Sequence, residues 1–361
     1  MTSTSYQPLF ELTRGDAFQD LRGQIVESIH FGALAVVDAK GNLLASVGDP
    51  NTVTYLRSSA KPFQALPLIE SGGRERYRLS EREVALICSS HSGTDEHVEA
   101  VKALQEKVGA LESDLLCGTH APFHEETAEA LRQRGEALTP TRHNCSGKHT
   151  GMIAYARLRG LPYDEYINPQ HPIQQTIVTA FAEMCSLPVD QVQVGTDGCS
   201  VPNFAVPLYH AALAYARLCD PQTGGVTPAR RAQACVEITK AMMAHPEMVG
   251  GPGRFDTRLM QIATGRIVSK GGAEGYQALG IMPGVMKPAS PGVGIAIKIS
   301  DGDLKGRAIG AVSLEVLRQL GVLSASELEL LAEFGPVFPL RNFRKYTVGV
   351  GRANLKLAWT A

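Results

Sequence analysis

At 361 residues, with 44% hydrophobic and 20% charged side chains and a formal net charge of -1, the sequence has an ordinary globular composition. Near-neutral charge removes the electrostatic reason to expect nucleic acid or an anionic membrane as a partner. No apolar run approaches the ~20 residues that span a bilayer. The polar stretch from Met1 to Arg14 lacks the basic and apolar regions of a signal peptide, so a cytoplasmic location is expected.

Seven cysteines lie far apart, which favours thiols or metal ligands over disulfides in a reducing compartment. Cys185, Cys219 and Cys235 fall in apolar helical patterns and read as buried thiols. Cys145 and Cys199 stand among Gly, Ser, Asp and Asn, a setting unlike a core.

In chain order, Gln24 to Val37 is rich in β-formers, and Ile29, Phe31, Ala33 and Ala35 keep the period of two of a strand. A turn at Lys40-Gly41 and the run Leu43–Val47 complete a hairpin. A short helix from Ser58 to Ile69 is expected to stop at Gly72-Gly73, with Pro67 kinking or ending it early. Pro62 fits only if Ser58 lies in or just before the first turn. Val84 to Cys88 is a short apolar run, and a helix capped by Thr94 starts at Asp95. Helical patterns follow over Glu125–Arg134, His149–Arg159, Pro172–Cys185, Asn203–Leu218 and Pro228–Ala244. Asp256–Ala263 reads as a helix, Gly294–Ile299 as a buried strand, Ala308–Leu320 and Ser326–Glu333 as helices. Tyr346–Val350 and Leu355–Trp359 read as terminal strands.

Strands at both ends with helices between predict an α+β fold, its antiparallel sheet built from both termini around an inserted helical region. The expected division is a sheet domain of residues 20–88 and 246–361 and a mainly helical domain of residues 89–245, with the active site between them.

Three constellations suggest chemistry. Ser58 and Lys61 are spaced to share a helix face. A partly dry lysine beside another cation sheds its proton readily and activates a serine hydroxyl. Ser90 and Lys270, the latter followed by Gly271-Gly272, supply a second serine–lysine pair. Cys145 and Cys199 are candidate ligands for a shared zinc, and spacing alone leaves His149, His143 or Asp197 as further donors. Arg57 and Arg254 sit in loop settings suited to a two-pronged grip on a carboxylate.

Arg57-Ser-Ser-Ala-Lys-Pro62, Cys88-Ser-Ser-His91, Asn144-Cys-Ser-Gly-Lys-His149, Thr196-Asp-Gly-Cys-Ser200 and Ser269-Lys-Gly-Gly272 together resemble the rhizobial-type L-asparaginases, the asparaginase II family. The match runs from about residue 20 to the C-terminus. The resemblance implies a fold like that of serine β-lactamases, penicillin-binding proteins and glutaminases. It places Ser58, Lys61, Ser90 and Lys270 as the catalytic serine–lysine pairs, and Cys145, Lys148 and Cys199 as zinc ligands with water. His149 and Asp197 belong to the matched motifs and are expected to line the substrate site with Arg57 and Arg254. The implied activity is hydrolysis of L-asparagine to aspartate and ammonia by a homodimer. A related glutaminase or a β-lactam or D-alanyl peptide hydrolase is the alternative, followed by a zinc-dependent sensor on the same scaffold.

Overall fold

The computed structural model describes residues 6–360, so the beginning of the polar stretch at Met1 lies outside the described residues. Strands β1 (Gln7–Asp16), β2 (Arg22–Asp38), β3 (Leu43–Val47) and β4 (Val53–Tyr55) open the chain. A 3-10 turn at Arg57–Ala60 leads into helices α1 (Lys61–Glu70), α2 (Gly73–Tyr77) and α3 (Glu81–Ile87). Next come α4 (Asp95–Val108), α5 (Glu125–Arg134), α6 (Ser146–Leu158) and α7 (Pro172–Met184). Strands β5 (Gln193–Thr196) and β6 (Pro202–Pro207) precede α8 (Leu208–Cys219), α9 (Ala229–Ala244), α10 (Pro246–Val249) and α11 (Phe255–Ile262). The chain ends with β7 (Ile267–Gly272), β8 (Tyr276–Ile281), β9 (Val293–Ile299), α12 (Ile309–Gln319), α13 (Ala325–Leu330), β10 (Val337–Arg341), β11 (Thr347–Ala353) and β12 (Ala358–Trp359).

The two termini build one antiparallel sheet in the order β10-β11-β1-β2-β9-β8-β7, with β3 beside β2 and β12 beside β3. The α+β class and the sheet made from both ends of the chain stand as expected. Strand β2 is long enough to serve three neighbours, pairing β1 through its first half, β3 through Leu34–Val37 and β9 through Gly32–Asp38.

The two faces of the sheet are chemically unlike. Leu34, Val36, Ile295 and Ile297 point into an aliphatic core with Val312, Val316 and Leu317 of α12. Ala33, Ala35, Ala278 and Ala296 on the opposite face are small, which lets α8 lie close against the strands. At Gly294 a Cβ would stand 1.8 Å from the Ala212 carbonyl oxygen, so this crossing tolerates only glycine. Helix α8 thereby joins the sheet to the helical layer, where Phe63 meets both Tyr215 and Phe181 edge-on.

Several local expectations are corrected. Pro67 does not end its helix, which runs on to Glu70 with Phe63, Leu66 and Leu68 buried. Burying three such side chains, at roughly 1.5–3 kcal/mol each, outweighs the ~3 kcal/mol cost of an interior proline. The run Val84–Cys88 is the last turn and cap of α3, begun by a capping box between Ser80 and Glu83. The expected helix Asn203–Leu218 begins at Leu208, because residues 202–207 pair with β4 and β5 as the centre of a small second sheet. Strands β1 and β10 were not anticipated. Bulges in the β1–β2 pairing break the period of two that would have marked β1. Among the described residues, no helix is long and apolar enough to cross a membrane.

Candidate active site

Four segments far apart in sequence meet where the helical layer faces β7. The first is the 3-10 turn at Arg57–Ala60. Arg57 adopts a left-handed φ of 52°, an uncommon conformation for a non-glycine residue. Its N–H donates to Asn203 Oδ1 at 3.0 Å and its Nε to Asp197 Oδ1 at 2.6 Å, which fix the turn that presents Ser58. Ser59 is turned inward, its hydroxyl donating to the Lys270 carbonyl at 2.6 Å. Gly272 makes this approach possible, since a Cβ there would lie 2.4 Å from the Leu56 carbonyl oxygen.

Lys61 begins α1 and is 1% exposed. Its Nζ donates to the Ser89 carbonyl at 2.5 Å and to Ser90 Oγ at 2.8 Å. Lys270, in mid-β7 and also 1% exposed, donates from Nζ to the same Ser90 Oγ at 3.0 Å and to the Gly271 carbonyl at 2.8 Å. One hydroxyl thus meets both lysine Nζ atoms. Burial pushes Lys270 down to about 7, helped by the Lys61 and Arg254 charges and opposed by Asp256.

Spacing linked Ser58 to Lys61, whereas the direct contact of Lys61 is with Ser90. Ser58 is half-buried and shares with Ser90 a pocket of about 280 Å³. Phe123, Phe255, Ile309 and Arg254 form its outer wall. Arg254 is exposed and lies over the Phe123 ring at 5.4 Å. Arg254 lines the serine pocket, whereas Arg57 does not line it and pairs with Asp197.

The cysteine motifs come together on the inner side. Cys145 caps the start of α6, Lys148 lies in its first turn, and Cys199 sits in the loop between β5 and β6; each is buried. Lys148 Nζ is 2.8 Å from Cys199 Sγ, and Cys199 Sγ is 3.6 Å from Asp197 Oδ2. Arg57, Asp197, Cys199 and Lys148 therefore form a continuous chain from the Ser58 turn to the thiols. Contact with Cys199 draws the Cys145 thiol well below its usual range, against the effect of burial. Burial would lower Lys148, but the Cys199 and Cys145 charges outweigh it and hold the ammonium. Burial would raise Asp197, yet Lys148 and Arg57 together keep its carboxyl below the usual range. His149 donates or accepts at Nδ1 with Tyr166 Oη at 2.6 Å, and burial lowers it to about 4.

Among the described residues, no group of three or more His, Cys, Asp or Glu side chains could hold a metal ion. The set of two thiols and a lysine fits zinc in donor chemistry, provided Lys148 gives up its proton. The buried His149 Nε2 beside Cys199 has no hydrogen-bond partner of normal geometry among the described residues.

Sequence reasoning missed Asn203, Asp256 and Gln277, which touch the candidate residues rather than forming motifs with them. Only the nearness of Asn203 to the Thr196–Ser200 motif could have drawn notice.

Two buried lysines converging on one serine, beside a second serine at a helix start, are equipped for attack on a carbonyl carbon with proton transfer to an amine base. This places the protein in the class of amidohydrolases. The chain belongs to the L-asparaginase II family, whose model matches residues 19–353. Among curated proteins none matches the chain. Among solved structures it is similar to the Bacillus subtilis glutaminase YbgJ in covalent complex with 5-oxo-L-norleucine, at 14% identity over 81% of this chain and 89% of that one, with a TM-score of 0.37. A probable glutaminase from Bacillus subtilis complexed with 6-diazo-5-oxo-L-norleucine is similar at 12% identity, covering 86% and 89% of the two chains with a TM-score of 0.37. A Bacillus glutaminase in 4.3 M NaCl follows at 13% identity over 81% and 91%, TM-score 0.36.

Proposed function

We propose that the protein is an L-asparaginase, hydrolysing the side-chain amide of L-asparagine to aspartate and ammonia. The observation that carries this reading is Ser90 Oγ held by Lys61 Nζ at 2.8 Å and Lys270 Nζ at 3.0 Å in the pocket that Ser58 also lines. Ser58, half-buried at the start of the α1 segment, is the nucleophile. Ser90 takes its proton and passes it to the lysine pair, so Lys61 acts through Ser90 rather than on Ser58 directly. Attack forms the Ser58 ester and releases ammonia, which leaves with the relayed proton, and water then resolves the ester. Lys270, with its value lowered to about 7, supplies a neutral amine near neutral pH.

Cys145, Lys148 and Cys199 would hold zinc, with Asp197 and His149 lining the space beside it. When bound, zinc would supply positive charge and coordination positions for the α-amino and α-carboxylate ends of the substrate. Arg57 orders Asp197 at that end, and Arg254, which lines the serine pocket, offers a positive charge to the substrate's carboxylate. From the family resemblance we also propose a homodimer.

Ammonia release from L-asparagine and L-glutamine, with wild type, Ser58→Ala and Ser90→Ala, tests the reading. Asparagine preference and an acyl-enzyme or diazoketone adduct on the Ser58 peptide support it. Turnover retained by Ser58→Ala, or an adduct on Ser90, would reverse the roles of the serines. A higher kcat/KM for glutamine would make the protein a glutaminase.

A further inference from the structure

We infer that Asp256 is a positioning residue for Lys270, holding the strand on both sides of that lysine and facing it with an uncancelled negative charge. The inference rests on the proposed role of the lysine pair.

Asp256 lies in the first turn of α11 and is buried. Its Oδ1 accepts from Ser269 Oγ at 2.6 Å and from Gln277 Nε2 at 2.9 Å, and its Oδ2 accepts from the Gly271 N–H at 2.8 Å. Ser269 and Gly271 flank Lys270 on β7, while Gln277 stands opposite Gly271 on β8 and also donates to Ser269 Oγ at 3.0 Å. Three donors from two strands thus converge on one carboxylate. A carboxamide offers one accepting atom and would turn its NH₂ toward a donor. The arrangement therefore calls for an ionised carboxylate.

A buried carboxylate is costly without such partners, and all its partners here are neutral. Among the described residues Asp256 makes no ion pair. Its charge is left to act on Lys270. The groups facing Lys270 are Asp256 from α11, Lys61 from α1, Arg254 just before α11, Cys145 just before α6 and Cys88 just after α3. Asp256 and Cys145 favour the ammonium; Lys61 and Arg254 oppose it. Asp256 is the largest favourable charge in that group and the one tied to the lysine's own strand.

The sign follows directly. Removing the Asp256 charge makes the Lys270 proton easier to lose, so the rising limb of activity with pH moves to lower pH. In the full-length enzyme, Asp256→Asn is expected to shift the limb of kcat/KM for L-asparagine down by about one pH unit. It is also expected to lower plateau kcat by up to about 10²-fold, because the strand is less well placed. Ser269→Ala removes one bond to Asp256 but keeps the charge, and should lower kcat without moving the limb. A loss equal at every pH in Asp256→Asn, or an equal shift in Ser269→Ala, would overturn the inference.

A second readout needs no substrate. Lysine side-chain ¹³C resonances are titrated, with Lys270 assigned as the signal missing from Lys270→Arg. The Lys270 midpoint should fall in Asp256→Asn and return toward wild type in Asp256→Glu; an unchanged midpoint contradicts the inference. If wild type releases no ammonia from asparagine, the proposed function fails while this titration still decides the role of Asp256.

Discussion

The two ends of the site use the same residue type to opposite effect. At the serine end, Lys61 and Lys270 share a neutral hydroxyl, and no carboxylate touches either ammonium among the described residues. At the thiol end, Lys148 faces Cys199, Cys145 and Asp197. All three lysines are buried to within 2% of full enclosure. Burial lowers both Lys270 and Lys148; at Lys148 the Cys199, Cys145 and Asp197 charges outweigh it, whereas at Lys270 the opposing Asp256 charge does not. Lys270 falls to about 7, while Lys148 is held as an ammonium. On the proposed mechanism, one end moves a proton and the other holds a charge.

The largest expected effect breaks the serine end. Ser90→Ala removes the hydroxyl that Lys61 Nζ and Lys270 Nζ share. Its kcat for asparagine should drop about 10²–10⁴-fold, measured by ammonia release, with KM changed little. An unchanged kcat would separate Ser90 from proton transfer.

The thiol end should respond in binding rather than in turnover. Cys145→Ser is expected to abolish zinc retention, read by metal analysis of the purified protein, and to raise KM about 10–100-fold. Full zinc content with an unchanged KM would remove the metal from the reading. Smallest is a control away from both ends. Ser80→Ala breaks the capping box of α3, which ends just before Ser90. It should cost about 1 kcal/mol of stability in thermal unfolding and leave kcat/KM within about twofold, because the helix is held by packing as well as by its cap.

How much of this was legible in the sequence varied with distance along the chain. Ser58 and Lys61 were visible because they are three residues apart, but that local spacing also suggested the wrong direct contact. The Lys61–Ser90–Lys270 cluster spans residues from three segments, and only the packing of α1, α3 and β7 reveals it. Asp256 and Asn203 carry no local signature, since one looks like any acidic residue in a helix's first turn and the other like a loop amide. For the fold, β2 was legible as a run of β-formers and β9 as an apolar run, but the alternation in β2 does not match burial: Ile29 and Phe31 are exposed, and the strand is continuously buried from Gly32 to Asp38. The second sheet was hidden because Asn203 to Pro207 continues into the helical periodicity of α8. The capping box Ser80-x-x-Glu83 was present in the sequence and would have marked the start of α3.

The central contrast is tested most directly by the pH dependence of kcat/KM for L-asparagine in the wild-type enzyme. A neutral Lys270 is required for proton acceptance, and its value is lowered to about 7. Below that pH the amine is protonated, so kcat/KM should fall about tenfold per pH unit; above it, activity should level off. The same limb should be absent from the residual activity of Lys270→Met. A wild-type profile flat from about pH 5.5 to about pH 9, or a limb retained in Lys270→Met, would contradict the assignment of Lys270 as the titrating base.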